Sequence, residues 1–316
     1  MKTRPLIILM ALLATACAKF NDKAEIDLGI GYEINGKALV TDTLCYENEA
    51  GNPFLITEIQ WFLSDIKLQN EAGDWITLRQ PDVSDTLDNS RIYYIDTDIP
   101  ESQTLHSCPV KTGHYSALRF TFGLDEYDNY TGLFSDPPES EMFWPDVLGG
   151  GYHYMKLNGK YRSPGGRIAP LAIHLGIGQN EDCTEFYHNY FIVELPIDFD
   201  VKANTENRLD LTMVIDNWFR NPHTIDFNEL GGGIMQNQTA QRLFNGNGKD
   251  VFRIGKPADN ENNINMKKEA RLVEKFNEVM HHAAPKSHFW TWENVRQTFE
   301  QIKESDKNRS LGACFG

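Results

Sequence analysis

Two stretches of the chain concentrate side chains that could hold a soft metal ion. Met142-Phe143-Trp144-Pro145-Asp146 leads into Gly149-Gly150-Gly151-Tyr152-His153-Tyr154-Met155, and Leu171-Ala172-Ile173-His174-Leu175-Gly176 follows. Imidazole nitrogen suits copper, and thioether sulfur suits copper(I) in particular. If the first segment ends as a strand, His153 and Met155 fall on one face, because side chains two apart point the same way. Pro164-Gly165-Gly166, between the segments, reads as a turn that would bring His174 alongside in a hairpin. Trp144 and Met142, just upstream, could cover or complete the site. The candidate metal residues are therefore His153, His174, Trp144 and Met142. Each also has a plainer reading: a strand histidine is usually a hydrogen-bonded structural residue, and Trp144 and Met142 read equally as core.

The elements that must position these residues alternate with period two. Leu118, Phe120 and Phe122 line one face of a segment, and Leu209, Leu211, Met213 and Ile215 line another. Tyr187, Phe191, Val193 and Leu195 alternate in the same way. Ile59, Trp61 and Leu63 do so too, but the parity then shifts to Ile66 and Leu68, which predicts a bulge. Shorter candidate strands are 26–32, 38–41, 75–78, 92–95, 152–157 and 168–174. Asn35-Gly36, Asn158-Gly159 and Pro164-Gly165-Gly166 read as turns between them. Gly149-Gly150-Gly151 reads as a tight bend. Many short strands without regular intervening helices predict a mostly-β domain of antiparallel sheets, sandwich-like or barrel-like. A short helix is expected over 239–244. Beyond Lys256 the pattern turns helical, at about 264–282 and again at about 292–303, so residues 256–316 read as a C-terminal helical extension of a β domain over 17–255.

Residues 1–16 read as an address. Lys2 and Arg4 precede an apolar run over 6–13, then Ala14-Thr15-Ala16 and Cys17. The run is too short to span a bilayer as a folded helix, and the pattern is that of a lipoprotein signal peptide with Cys17 as the lipid-bearing residue. An exported, membrane-anchored protein, at the periplasmic face or the cell surface, is the expectation. Export also permits disulfides among Cys45, Cys108, Cys183 and Cys314, in any of three pairings. The full chain carries a net charge of −15, and loss of Lys2 and Arg4 makes the mature chain more acidic still. That balance argues against nucleic acid as a partner, since no basic stripe is present to neutralise phosphates. No GxSxG elbow, HExxH helix or phosphate-cradling GxxxxGK occurs, and no enzyme is expected.

The two metal-candidate stretches, followed by Asp216-Asn217-Trp218-Phe219, resemble the MbnP-like copper-binding family in order and spacing. Members carry a Met-x-Trp element, a Gly-Tyr-x-Phe/Tyr-x-Lys-Leu strand, a strand ending in His-Leu-Gly, and an Asp near a Trp-Phe pair. Here these are Met142 and Trp144, the strand through Gly151, Tyr152, Tyr154, Lys156 and Leu157, the segment His174-Leu175-Gly176, and Asp216 with Trp218-Phe219. The resemblance spans roughly residues 24–255. It implies an exported β-sandwich-like domain that binds copper, in some members through histidines and a tryptophan oxidised to kynurenine, with a dihaem, peroxidase-like redox partner. His174 and Trp144 match the motifs best. A second tryptophan often follows the first by two residues in the family, whereas this chain has Trp144-Pro145-Asp146. The competing expectation is a metal-free surface module that uses its 11% aromatic residues to bind a glycan or protein. If copper is held by ordinary imidazoles, its affinity should weaken below about pH 6.5.

Overall fold

The structure is a computed structural model that describes residues 23–79, 91–180, 182 and 184–258. The expected signal peptide and Cys17, the C-terminal helices, Cys183 and Cys314 lie outside the described residues. The alternating segments form strands, and these assemble into two main sheets. The larger runs Ile168–Leu175, Met155–Arg162, Pro53–Asn70, Gly113–Phe122, Phe191–Val201, with all neighbours antiparallel. Pro53–Asn70 is its spine: the first half pairs with Met155–Arg162 and the second with Gly113–Phe122. The smaller sheet runs Phe252–Ile254, Arg208–Val214, Lys23–Ile34, Lys37–Ala38, and Thr104–Lys111 also pairs with Lys23–Ile34.

The sheets face each other across an aromatic core. Trp61 and Phe120 of the larger sheet lie 5.4 and 5.0 Å from the Phe252 ring of the smaller. The Trp61 indole N–H donates to the Tyr32 hydroxyl across the same interface, at 2.9 Å. This is a mostly-β, sandwich-like fold, as the alternation predicts. Among the described strands the antiparallel rule has one exception, the parallel pairing of Lys23–Ile34 with Arg208–Val214, beside an isolated parallel bridge from Ala172 to Gly233. A parallel pair cannot be joined by a tight turn, so no local signal marks it.

Parity in the sequence reports real geometry at Ile66. The register of Pro53–Asn70 against Gly113–Phe122 shifts between Ser64 and Lys67, and Asp65 adopts a positive φ of 50°. Asp is among the few residues that tolerate this region. The Asn35-Gly36 turn forms between two paired strands, and Pro164-Gly165-Gly166 closes the hairpin of Met155–Arg162 with Ile168–Leu175. Asn158-Gly159 is not a turn: both residues lie inside Met155–Arg162. A Cβ at Gly159 would stand 2.2 Å from the Leu55 carbonyl oxygen, so this glycine permits close backbone approach rather than a reversal.

Other elements differ from expectation in extent. The predicted 38–41 strand is only Lys37–Ala38. The 187–195 segment splits into Phe186–Tyr187 and Phe191–Val201 because buried Asn189 turns its side chain to the Gly176 carbonyl, at 2.9 Å. The short helix extends over Gln238–Gly248, capped by the Asn237 side chain, which accepts from the Ala240 N–H. It buries Ala240, Gln241 and Phe244. Cys45 is exposed and Cys108 buried, and the two thiols are not joined to each other. No helix among the described residues is long and apolar enough to cross a membrane.

Candidate metal centre

The metal candidates gather on the outward face of the larger sheet. His174 lies opposite Lys156, and Asn158 is the next residue on that same face. Leu175, Leu157 and Ile173 point the other way and are buried in the core. Met155, opposite Leu175, shares their face, so it is not on the histidine side as simple alternation from His153 would suggest. The reason is a break in the extended chain at Tyr154, which resets the parity before the strand begins at Met155.

His153 comes from the segment that folds over this face. Gly149, Gly150 and Gly151 all adopt positive φ, at 117°, 72° and 75°, and reverse the chain as the expected bend. Phe143 then bridges to Tyr152 in antiparallel fashion, and the His153 amide donates to the Met142 carbonyl at 2.7 Å. The imidazoles of His153 and His174 meet edge to face, with centroids 5.2 Å apart and planes at 83°. The His153 ring also meets the Trp144 indole, at 4.7 Å and 83°. The structure thus places the four candidates next to one another, but their surroundings differ.

His153 is 4% exposed. Its Nδ1 lies 2.9 Å from the Met142 carbonyl oxygen. A carbonyl only accepts, so Nδ1 carries the proton and Nε2 presents a lone pair. That Nε2 is buried and has no hydrogen-bond partner among the described residues. His174 is half-buried, with Nε2 2.9 Å from the Asn158 side-chain oxygen. Its main chain is fixed as well, since Gln241 donates to the His174 carbonyl at 2.7 Å. Met142 is buried and serves His153 through its main-chain oxygen. Trp144 is fully buried, and its indole N–H donates to the Leu148 carbonyl at 3.0 Å. An indole N–H has no acceptor capacity, so unmodified Trp144 forms a wall of the site rather than a donor to a cation.

Burial dominates the electrostatics. It pushes the His153 imidazolium down from 6.5 to about 3, with the Lys156 and His174 charges adding to the effect and the Met142 hydrogen bond opposing it. His174 falls to about 4, first from burial and then from the Lys156 charge. Burial lowers the Lys156 ammonium in turn, and its Nζ donates to the Glu141 carbonyl at 2.6 Å. Both imidazoles are therefore neutral at any physiological pH, the form that binds metal. Among the described residues no cluster of three or more His, Cys, Asp or Glu is arranged to hold a metal ion, and the candidate donors here are the two imidazoles.

The family profile of MbnP matches residues 23–236, which takes in both histidines, Trp144 and Met142. The chain belongs to the MbnP family. Its fold is similar to that of the solved structure of MbnP from Methylosinus trichosporium, with a TM-score of 0.50 at 14% identity, over 74% of this chain and 98% of that one. No curated protein matches the sequence. Membership in the MbnP family associates the chain with copper-related systems. The fourth family element works structurally here: Asp216 accepts from the Asn35 N–H at 2.6 Å and so pins the Asn35-Gly36 turn. Trp218 packs on Phe122 and Phe219 on Phe54, both inside the core.

Residues that sequence reasoning did not assign to the site are Asn158, Glu58 and Gln241. Asn158 was concealed by its position before a glycine, which reads as a turn. The polar alternation of Lys156, Asn158 and Lys160 along one strand face is the signal that could have found it.

Proposed function

We propose that this protein is an exported lipoprotein, attached to a membrane through Cys17, that holds one copper ion between His153 and His174 for acquisition, storage or handover. The observation that carries the reading is the unpartnered, buried Nε2 of His153 beside the His174 ring. An orphaned buried nitrogen costs on the order of 1–3 kcal/mol. A metal ion would complete it, and each ring already spends its other nitrogen on an oxygen acceptor, as metal-binding histidines do. Copper bound here would supply a redox-active centre, and two neutral nitrogens suit copper(I), which tolerates low coordination, better than zinc, which takes four ligands. Trp144 shields the His153 ring from water, while Met142 and Asn158 fix the two ring orientations. The reading assigns no enzymatic turnover to the chain; a dihaem, peroxidase-like protein is its redox partner.

The test is a competition titration of metal-free protein with copper(I) against a chromophoric chelator. One tight equivalent is expected in the wild type and none in the His153→Ala/His174→Ala variant. Equal binding by both proteins sinks the assignment.

A further inference from the structure

Behind His174 stands a short hydrogen-bond chain. The Asn158 amide nitrogen lies 3.3 Å from a Glu58 carboxylate oxygen, and the Asn158 amide oxygen lies 2.9 Å from Nε2 of His174. Three strands hold it in line. Asn158 is opposite Glu58 in Pro53–Asn70 and opposite Ala172 in Ile168–Leu175, so His174 is its diagonal neighbour on the same face. The Glu58–Asn158 register follows directly from a bulge: the pairing of Pro53–Asn70 with Met155–Arg162 shifts between Ile56 and Glu58, where Gly159 lets the Leu55 carbonyl approach.

The chain has a direction. A carboxylate accepts and does not donate, so the amide must turn its NH2 to Glu58. Its oxygen then faces His174, and a carbonyl oxygen there requires a proton on Nε2. The reverse arrangement sets the amide oxygen against the carboxylate, lone pair to lone pair. An imidazole protonated on Nε2 has its lone pair on Nδ1, and no hydrogen bond engages that atom among the described residues.

We propose that Asn158, oriented by Glu58, is the positioning residue that fixes the His174 tautomer, leaving Nδ1 as the atom His174 offers to a metal. His153, held through Nδ1 by Met142, offers Nε2. The two histidines are thus presented through opposite ring nitrogens by two independent devices. What the lone pair is used for rests on the copper reading; which nitrogen carries it does not.

The experiment records long-range ¹H–¹⁵N correlation spectra of the metal-free, ¹⁵N-labelled protein at neutral pH, which separate protonated from bare ring nitrogens. Wild-type His174 should be the Nε2-protonated tautomer and His153 the Nδ1-protonated one. Glu58→Gln alone should scramble His174, because a glutamine amide both donates and accepts and so releases the Asn158 flip. Asn158→Leu should do the same by removing the acceptor. The double variant Glu58→Gln/Asn158→Asp should restore the Nε2-protonated form, since the new carboxylate beside His174 can only accept and the new amide behind it can donate to that carboxylate. His153 should be unchanged throughout, which separates a local effect from unfolding. Copper(I) titrations should weaken on the order of tenfold or more in the scrambled variants and recover in the double variant. A wild-type His174 protonated on Nδ1, or an unchanged tautomer in both Glu58→Gln and Asn158→Leu, overturns the proposal. If the tautomers behave as stated and no wild-type copper binding is seen, the positioning chain stands and the copper reading fails.

Discussion

Lowering the pH from about 7 to about 5 should leave copper affinity unchanged while it destabilises the metal-free fold. Two ordinary imidazoles, each with a pKa near 6.5, would both be free at pH 5 in only about one molecule in 10³, and affinity would fall by that factor. Here burial holds His153 at about 3 and His174 at about 4. At pH 5 the folded apo-protein has almost no protons on either ring, so proton competition weakens binding by about 10% at most. The simple expectation from residue type, weakening below about pH 6.5, is thereby replaced. The cost moves to folding. Both folded values are depressed, so the unfolded chain takes up the protons first. The contribution of each imidazole is fully present above 6.5 and is lost as pH falls toward the folded value. Between pH 7 and 5 that loss is about 2 kcal/mol per ring, or about 4 kcal/mol for both, set by the unfolded pKa and the pH. The assay pairs copper(I) competition titrations with urea unfolding of the apo-protein at each pH. A fall in affinity of two or more orders of magnitude by pH 5, with apo stability flat, would refute the argument that burial controls these rings.

Other substitutions test the packing that holds the site. Gly176→Ala would place a Cβ 2.5 Å from Cε3 of the buried Trp144, and should cost about 1–3 kcal/mol in urea unfolding; a neutral result would show that the indole is free to move. Gly159→Ala meets the Leu55 carbonyl oxygen at 2.2 Å, a backbone atom that cannot rotate away, so its loss should reach or pass the upper end of about 1–3 kcal/mol. Gln241→Leu strips donors from the His174 and Ile234 carbonyls, and about 1–3 kcal/mol should be lost in the same assay, with copper affinity falling as the His174 strand end loosens. Wild-type stability in that variant would show the two carbonyls to be solvated by other means.

Much of the sandwich is legible because its strands are half-buried and alternate. Leu118, Phe120 and Phe122 face the core together, and the parity slip before Ile66 marks a real bulge at Asp65. What the pattern hides is whatever depends on distant pairing. The parallel contact of Lys23–Ile34 with Arg208–Val214 has no local signature. Asn158-Gly159 has the composition of a turn, yet its glycine answers to Leu55, on another strand. At the site, the residue types of His153, His174, Trp144 and Met142 and the hairpin between the two histidine segments are visible in the sequence. The face of Met155 is not, because the break at Tyr154 is a conformational event that alternation assumes away. Nor is the donor chain through Glu58 and Asn158, which exists only once three strands are in register.

The placement of the pair explains how one buried and one half-buried imidazole can coexist with a folded apo-protein. The site lies outside the inter-sheet core, on a strand face whose other members, Lys156, Asn158 and Glu58, are polar and half-buried. The desolvation cost falls on the covering segment that carries His153. That segment withstands the cost because its backbone is tied twice to the same carbonyl, by the amide and by Nδ1 of His153, and because Trp144 is tied to Leu148. His153 cannot reach water without breaking those bonds, whereas His174 already does. If the proposed copper site is right, an ion meets His174 first and passes inward to Nε2 of His153, so in stopped-flow mixing with copper(I) substitutions at His174 should slow loading as well as weaken binding, whereas those at His153 should weaken binding alone.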